Sequence, residues 1–177
     1  MYFIAILLPE KINEKVLEHK RFMEQKFGCR VALNSPAHIT IIPPFWMELE
    51  KEEQLQSDVA EISNQIDCFS ISTKSFSAFK PKTIFIAVDE NTCLQWVKGA
   101  ADQYFSSKDY KIKRESRPFH PHITVATRDL HKKSFAEAWQ SFENKNFDES
   151  FDAMGLSVLK HDGNRWNVIY TALFNQT

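Results

Sequence analysis

The tripeptide His38-Ile39-Thr40 recurs as His122-Ile123-Thr124. Both copies lie in short, largely β-branched stretches, and in a strand residues two apart project from the same face. Each copy therefore presents one imidazole and one hydroxyl together and turns its isoleucine toward the core. Histidine exchanges protons near neutral pH, and threonine donates a hydrogen bond to an anionic oxygen without changing charge. Two such pairs facing one another supply a general base on one side of a phosphorus atom, a general acid on the other, and hydroxyl donors for the remaining oxygens. An in-line displacement needs that opposition, because the nucleophile enters and the leaving oxygen departs on opposite sides. Strand parity adds Arg128 to the face that holds His122 and Thr124.

A single His-x-Thr on a strand is ordinarily structural, a histidine satisfied by a backbone carbonyl beside a β-favouring threonine. Two identical copies, each with a nearby proline and 84 positions apart in a chain of 177 residues, change that reading. The separation is close to half the chain and points to an internal duplication. His120 and His122 form a His-x-His pair that could ligate zinc, but no third ligand stands at a recognisable spacing. No metal is therefore expected. His19, His131 and His161 read as ordinary surface residues. Phe45 and Phe119 flank the two motifs where a base could stack between rings, although core packing competes for each of 15 phenylalanines. Lys80 and Lys82, either side of Pro81, read as solvated turn residues.

The elements that must position these groups follow from periodicity. A strand is expected at Tyr2 to Leu8, then a helix from Glu10 to Phe27 that Gly28 stops. A strand over Ala37 to Phe45 ends sharply at Pro43-Pro44, since proline supplies no N–H to a ladder. A helix at Glu50 to Ile66 carries Leu55, Val59, Ile62 and Ile66 on one face. Strands at Phe69 to Phe79 and Thr83 to Val88 complete the first half. The second half repeats the order: a helix from Thr92 to Phe105, a strand from His122 to Thr127, a helix from Lys133 to Glu143, and strands at Phe151 to Lys160 and Trp166 to Phe174. This mixture implies an α+β architecture of two antiparallel sheets side by side, in one domain over residues 1–177 with pseudo-duplicated halves.

Composition narrows the partners. With 22 basic and 23 acidic side chains and a net charge of -1, the chain is not built to hold long nucleic acid by neutralising many phosphates. Met1 to Leu8 is apolar but too short to span a bilayer and has no basic residue before it, so the mature protein is expected to begin there, with no membrane contact. Cys29, Cys68 and Cys93 are odd in number, with no CxxC pair, as expected of reduced thiols in a cytoplasmic protein.

The segments Ser35-Pro36-Ala37-His38-Ile39-Thr40-Ile41-Ile42-Pro43-Pro44-Phe45 and Phe119-His120-Pro121-His122-Ile123-Thr124-Val125-Ala126-Thr127-Arg128 resemble the 2H phosphoesterase superfamily. Within it they are most similar to the bacterial RNA 2′,3′-cyclic phosphodiesterases, also called 2′-5′ RNA ligases. The resemblance covers essentially the whole chain. It implies a two-lobed fold with outer helices and a central cleft, no metal or other cofactor, and hydrolysis of a 2′,3′-cyclic phosphate to a 2′-phosphate. It further implies that His122 activates water, that His38 protonates the departing 3′ oxygen, and that Thr40 and Thr124 hold the phosphate. One position departs from the family pattern: the arginine commonly found five residues after the second histidine is Thr127 here, with Arg128 following it.

The expected partner is a short RNA or a nucleotide bearing a cyclic phosphate, with Arg128, Phe45 and Phe119 as substrate contacts. A competing reading is a non-catalytic module that binds RNA ends or nucleotide phosphates. The motifs act on phosphate and say little about the base, so specificity falls to the loops Phe45 to Lys51 and Tyr110 to Phe119. A monomer is expected, because the two halves build the cleft within one chain.

Overall fold

The computed structural model describes residues 1–113 and 115–176. Eight strands and four helices follow in the order β1 (Tyr2–Leu7), α1 (Glu10–Phe27), β2 (His38–Phe45), α2 (Glu52–Ser63), β3 (Phe69–Phe79), β4 (Thr83–Val88), α3 (Thr92–Ser106), β5 (His122–Ala126), α4 (Lys132–Gln140), β6 (Asn146–Ala153), β7 (Gly155–His161) and β8 (Trp166–Leu173). They form two four-stranded antiparallel sheets, ordered β2-β1-β7-β8 and β5-β4-β3-β6. The α+β class and the two antiparallel sheets are those the sequence predicts.

The two histidine strands occupy equivalent places, each at the edge of its sheet and each paired with the strand that precedes it by one helix. The sheets are nevertheless not sequential halves. The first takes β1 and β2 from the start of the chain and β7 and β8 from its end, while the second is built from the middle.

Each sheet has a core face and a cleft face. On β1, Ile4 and Ile6 enter the main core, whereas Phe3 and Ala5 pack with Leu159 on the other side. Helix α2 lies on β7 and β8, and α3 lies on β2. Helix α1 crosses to the second sheet, where it packs on β5 and α4, buries Ile12, Val16 and Met23, and is stopped by Gly28 at a φ of 71°. His19 is not a simple surface residue: its ring packs edge-on against Phe76, Phe142 and Phe147, and burial lowers its pKa.

Two other expectations change. Strand β2 continues through Pro43 and Pro44 to Phe45, which an edge strand permits because one side of it carries no ladder. The single strand expected at Phe151 to Lys160 is two strands, broken at Met154, where the chain passes from the second sheet to the first. Strand β6 starts at Asn146 with Phe147, Phe151 and Ala153 buried between polar residues. Gly155 stands at the crossing, where a Cβ would overlap the Ala172 carbonyl oxygen, so no larger residue fits. Among the described residues, no helix is long and apolar enough to cross a membrane.

Candidate active site

Antiparallel pairing sets the direction of each site side chain. His38 stands opposite Leu7 and Thr40 opposite Ala5, on the cleft face of the first sheet. His122 stands opposite Ala87 and Thr124 opposite Phe85 on the second. Ile39, Ile41, Ile123 and Val125, the alternate residues, are fully buried in the core. Strands β2 and β5 approach each other across the cleft. Two edge strands thus carry the histidine–threonine pairs to a common space.

The two imidazoles are held alike. His38 Nδ1 lies 2.8 Å from the Pro36 carbonyl oxygen, and His122 Nδ1 lies 2.7 Å from the His120 carbonyl oxygen. A carbonyl accepts and cannot donate, so Nδ1 carries the proton in both rings and Nε2 is left as the exchanging nitrogen. Aromatic rings fix each plane further. Phe3 lies 4.8 Å from the His38 ring, and Phe85 and Phe79 lie 5.1 and 5.2 Å from the His122 ring.

Burial sets the protonation. Desolvation pushes the His38 pKa down to about 4, with the Pro36 carbonyl pulling upward and the charges of Lys20 and His122 lowering it further. Desolvation also lowers the His122 pKa. There the His120 carbonyl opposes the fall, the His120 ring adds to it, and Glu115 favours the proton. Burial thus disfavours the charged form of both rings.

The space between the motifs divides into two cavities joined at Thr40 and Pro44. One, of about 150 Å³, is lined by His38, Thr40, Thr124, Arg128, Lys20 and Trp166. The other, of about 660 Å³, is lined by Thr40, His122, Phe79, Phe119, Arg117 and Glu115 among others. The first is cationic and small, suited to a phosphate, and the second is aromatic and wide enough for a nucleoside.

Arg128 reaches the first cavity, but not by strand parity: β5 ends at Ala126, and a turn closed by Leu130 N–H donating to the Thr127 carbonyl carries Arg128 in. Its neighbour Asp129 accepts from the backbone N–H groups of Arg30 and Val31, fixing the short 3₁₀ turn at Val31–Asn34 that walls the cavity. Phe119 lines the second cavity with Lys98 Nζ 5.7 Å from its ring centre. Phe45 does not contribute. It is 2% exposed and packs on Tyr2 and Tyr110 in the core, standing opposite the core residue Tyr2 after two register shifts between Thr40 and Phe45.

Sequence reasoning missed Lys20, Phe79 and Trp166. For Lys20 a signal existed, since it falls on the buried stripe Ile12, Val16, Lys20, Met23 of α1, where a charge is out of place. Its ammonium donates to the Ser35 carbonyl at 3.0 Å, and burial lowers its pKa to about 8. Trp166 and Phe79 come to the cleft through tertiary placement that no local pattern records. Among the described residues, no three His, Cys, Asp or Glu side chains gather as a metal cluster, so the His120-x-His122 pair has no third partner.

Comparison with known proteins gives the family and the fold. The family model described as the 2′-5′ RNA ligase superfamily matches residues 8–165. An RNA 2′,3′-cyclic phosphodiesterase of Bacillus subtilis (strain 168) is 26% identical over 140 residues, covering 72% of this chain and 70% of its own. In fold, the chain is similar to Escherichia coli LigT crystallised with NADP+, with a TM-score of 0.71, 18% identity and coverage of 99% and 97% of the two chains. It is also similar to the Thermus thermophilus protein TT0787, with a TM-score of 0.69, 16% identity and coverage of 98% and 97%.

Proposed function

Because the chain belongs to the 2′-5′ RNA ligase superfamily of phosphoesterases, we propose that it hydrolyses the 2′,3′-cyclic phosphate of an RNA end or nucleotide to a 2′-phosphate, with His38 and His122 as the acid–base pair. The observation that carries this reading is the matched tethering of the two rings, each with Nδ1 on a carbonyl two residues upstream and Nε2 free to exchange a proton. The B. subtilis relative named as an RNA 2′,3′-cyclic phosphodiesterase supports the choice of reaction.

The phosphate binds between Thr40 and Thr124, whose hydroxyls donate to its non-bridging oxygens, and Arg128 and Lys20 balance its charge. Neutral His122 takes a proton from water at Nε2 as the water oxygen bonds to phosphorus. The bond from phosphorus to the 3′ oxygen breaks on the far side, and His38 delivers the proton to that oxygen from Nε2. His38 is desolvated and its neutral form favoured in the free protein, so it takes the proton it gives from solvent as the anionic substrate binds, because that charge raises the proton affinity of a nearby imidazole. The groups that act are the chain's own, and turnover in excess chelator is expected.

Glu115 favours a second reading of the polarity: its charge stabilises a proton on His122, which would then be the acid, with His38 the base. A phosphodiester with a p-nitrophenolate leaving group needs no protonation of that group, so it restores most activity to the variant lacking the acid. Rescue of His38→Ala supports the first assignment, and rescue of His122→Ala the second. For the reaction itself, the test is incubation in chelator with a short RNA ending in a 2′,3′-cyclic phosphate. A 2′-phosphate product is expected; a 3′-phosphate product, or strict dependence on added divalent metal, contradicts the proposal.

A further inference from the structure

The wide cavity beside His122 is lined by two groups of opposite charge, Glu115 and Arg117, whose side chains neither give nor take a proton in the proposed reaction. Much of the remaining wall is aromatic ring or proline, with Phe79, Phe119, Pro43 and Pro118 among the lining. Aromatic rings hold any base by stacking, because every base has a π-face. Selection among bases then falls to the two charged groups.

Glu115 is held in place by a buried cation. Lys98 donates to a Glu115 carboxylate oxygen at 3.1 Å, to Asp102 at 2.8 Å and to the Ile41 carbonyl at 2.9 Å. One ammonium shared by two carboxylates leaves a net negative charge, so Glu115 keeps lone pairs for further donors. The same ammonium lies 5.7 Å from the centre of the Phe119 ring, which sets the carboxylate beside a stacking surface, and its charge is felt at His122. Half of the Glu115 side chain stays exposed, open to a ligand in the cavity. Arg117 pairs with no carboxylate among the described residues, so its guanidinium fork is free to donate.

The four bases present different edges to such a pair. Guanine carries two adjacent donors, N1–H and the 2-amino group, on its Watson–Crick edge and two acceptors, O6 and N7, on the neighbouring edge. A carboxylate accepts from the first two and a guanidinium fork donates to the second two. Adenine and cytosine set a ring-nitrogen acceptor beside their single amino group, and uracil flanks its one N–H with two carbonyls. Each of these three turns an acceptor toward the carboxylate, which repels it. We infer that Glu115 and Arg117 select guanine, so that the wide cavity takes a guanosine carrying the cyclic phosphate. The inference rests on the cyclic-phosphate reading of the central site.

Isothermal titration calorimetry of the full chain with guanosine, adenosine, cytidine and uridine 2′-phosphates reads this selection without turnover. Guanosine 2′-phosphate is expected to bind about tenfold more tightly than the other three, the discrimination that one good bidentate pair supplies. In Glu115→Gln the ratio of guanosine to adenosine affinity falls toward one, because the amide can turn a donor toward N1–H, and Arg117→Met lowers the same ratio from the other edge. Each ratio is taken within one protein, so an effect of either substitution on His122 or on phosphate binding cancels. Guanosine and adenosine bound alike, the mark of stacking alone, overturns the inference, as does tighter binding of another base or an unchanged ratio in either variant. Failure of the central reading is distinct from these results, since it is seen as no hydrolysis of any of the four nucleoside 2′,3′-cyclic phosphates in chelator, whatever the order of binding.

Discussion

Lowering the pH should destabilise the protein through His38 in a defined window. The folded-state pKa is depressed to about 4, chiefly by desolvation, against an ordinary value of 6.5. Between those values the unfolded chain takes up a proton that the folded one refuses, so stability falls as the pH drops from about 6.5 to about 4 and levels off below. At about 1.4 kcal/mol per pH unit, the full shift corresponds to about 3 kcal/mol, an upper bound because the ring keeps part of its surface in water. Urea unfolding at intervals from pH 7.5 to 4 reads the loss directly. His122 and His19 titrate downward for the same reason, so the test is the difference between the unaltered protein and His38→Gln. That difference should shrink steadily over the window as the unaltered protein loses its histidine contribution and the variant does not. Parallel stability curves for the two proteins would refute the desolvation of His38.

Asp58 is 2% exposed and accepts from the Tyr110 hydroxyl at 2.6 Å, the Tyr104 hydroxyl at 3.0 Å and the Lys108 ammonium at 2.9 Å. Asp58→Asn faces those donors with an amide and should cost about 3 kcal/mol in urea unfolding; a loss below about 1 kcal/mol would contradict this role. Gly155→Ala places a methyl against the Ala172 carbonyl and should lower stability by about 2 kcal/mol or more, with an unchanged melting temperature the adverse result. Lys98 donates to the Ile41 carbonyl, Asp102 and Glu115 and lies over the Phe119 ring, so it positions one wall of the aromatic cavity. Lys98→Met should raise KM by roughly tenfold, the effect of losing about 1.4 kcal/mol of ground-state binding, with a smaller effect on kcat; an equal fall in kcat alone would count against it.

The sequence made the motif strands legible because a period of two, repeated with the same residues, fixes both the element and the face. Thr40, Thr124 and Phe119, singled out by their places in the motifs, line the two cavities. Phe45 was misassigned because two register shifts between Thr40 and Phe45 break strand parity and turn it to the core side opposite Tyr2, and Lys20 was overlooked although a lysine on an apolar helical stripe is itself a signal. The crossing at Gly155 was hidden because Met154 and Gly155 interrupt two strands that belong to different sheets, a fact of tertiary pairing.

The central claim is that His38 and His122 act together as an acid–base pair, and the direct test is kcat/KM on an RNA 2′,3′-cyclic phosphate for His38→Ala, His122→Ala and the double variant. Each single loss should reduce the rate by about 10²- to 10⁴-fold, and the double variant should fall little further, because groups acting in one transition state are not additive. Near-normal turnover in either single variant, with the fold intact, would contradict the account.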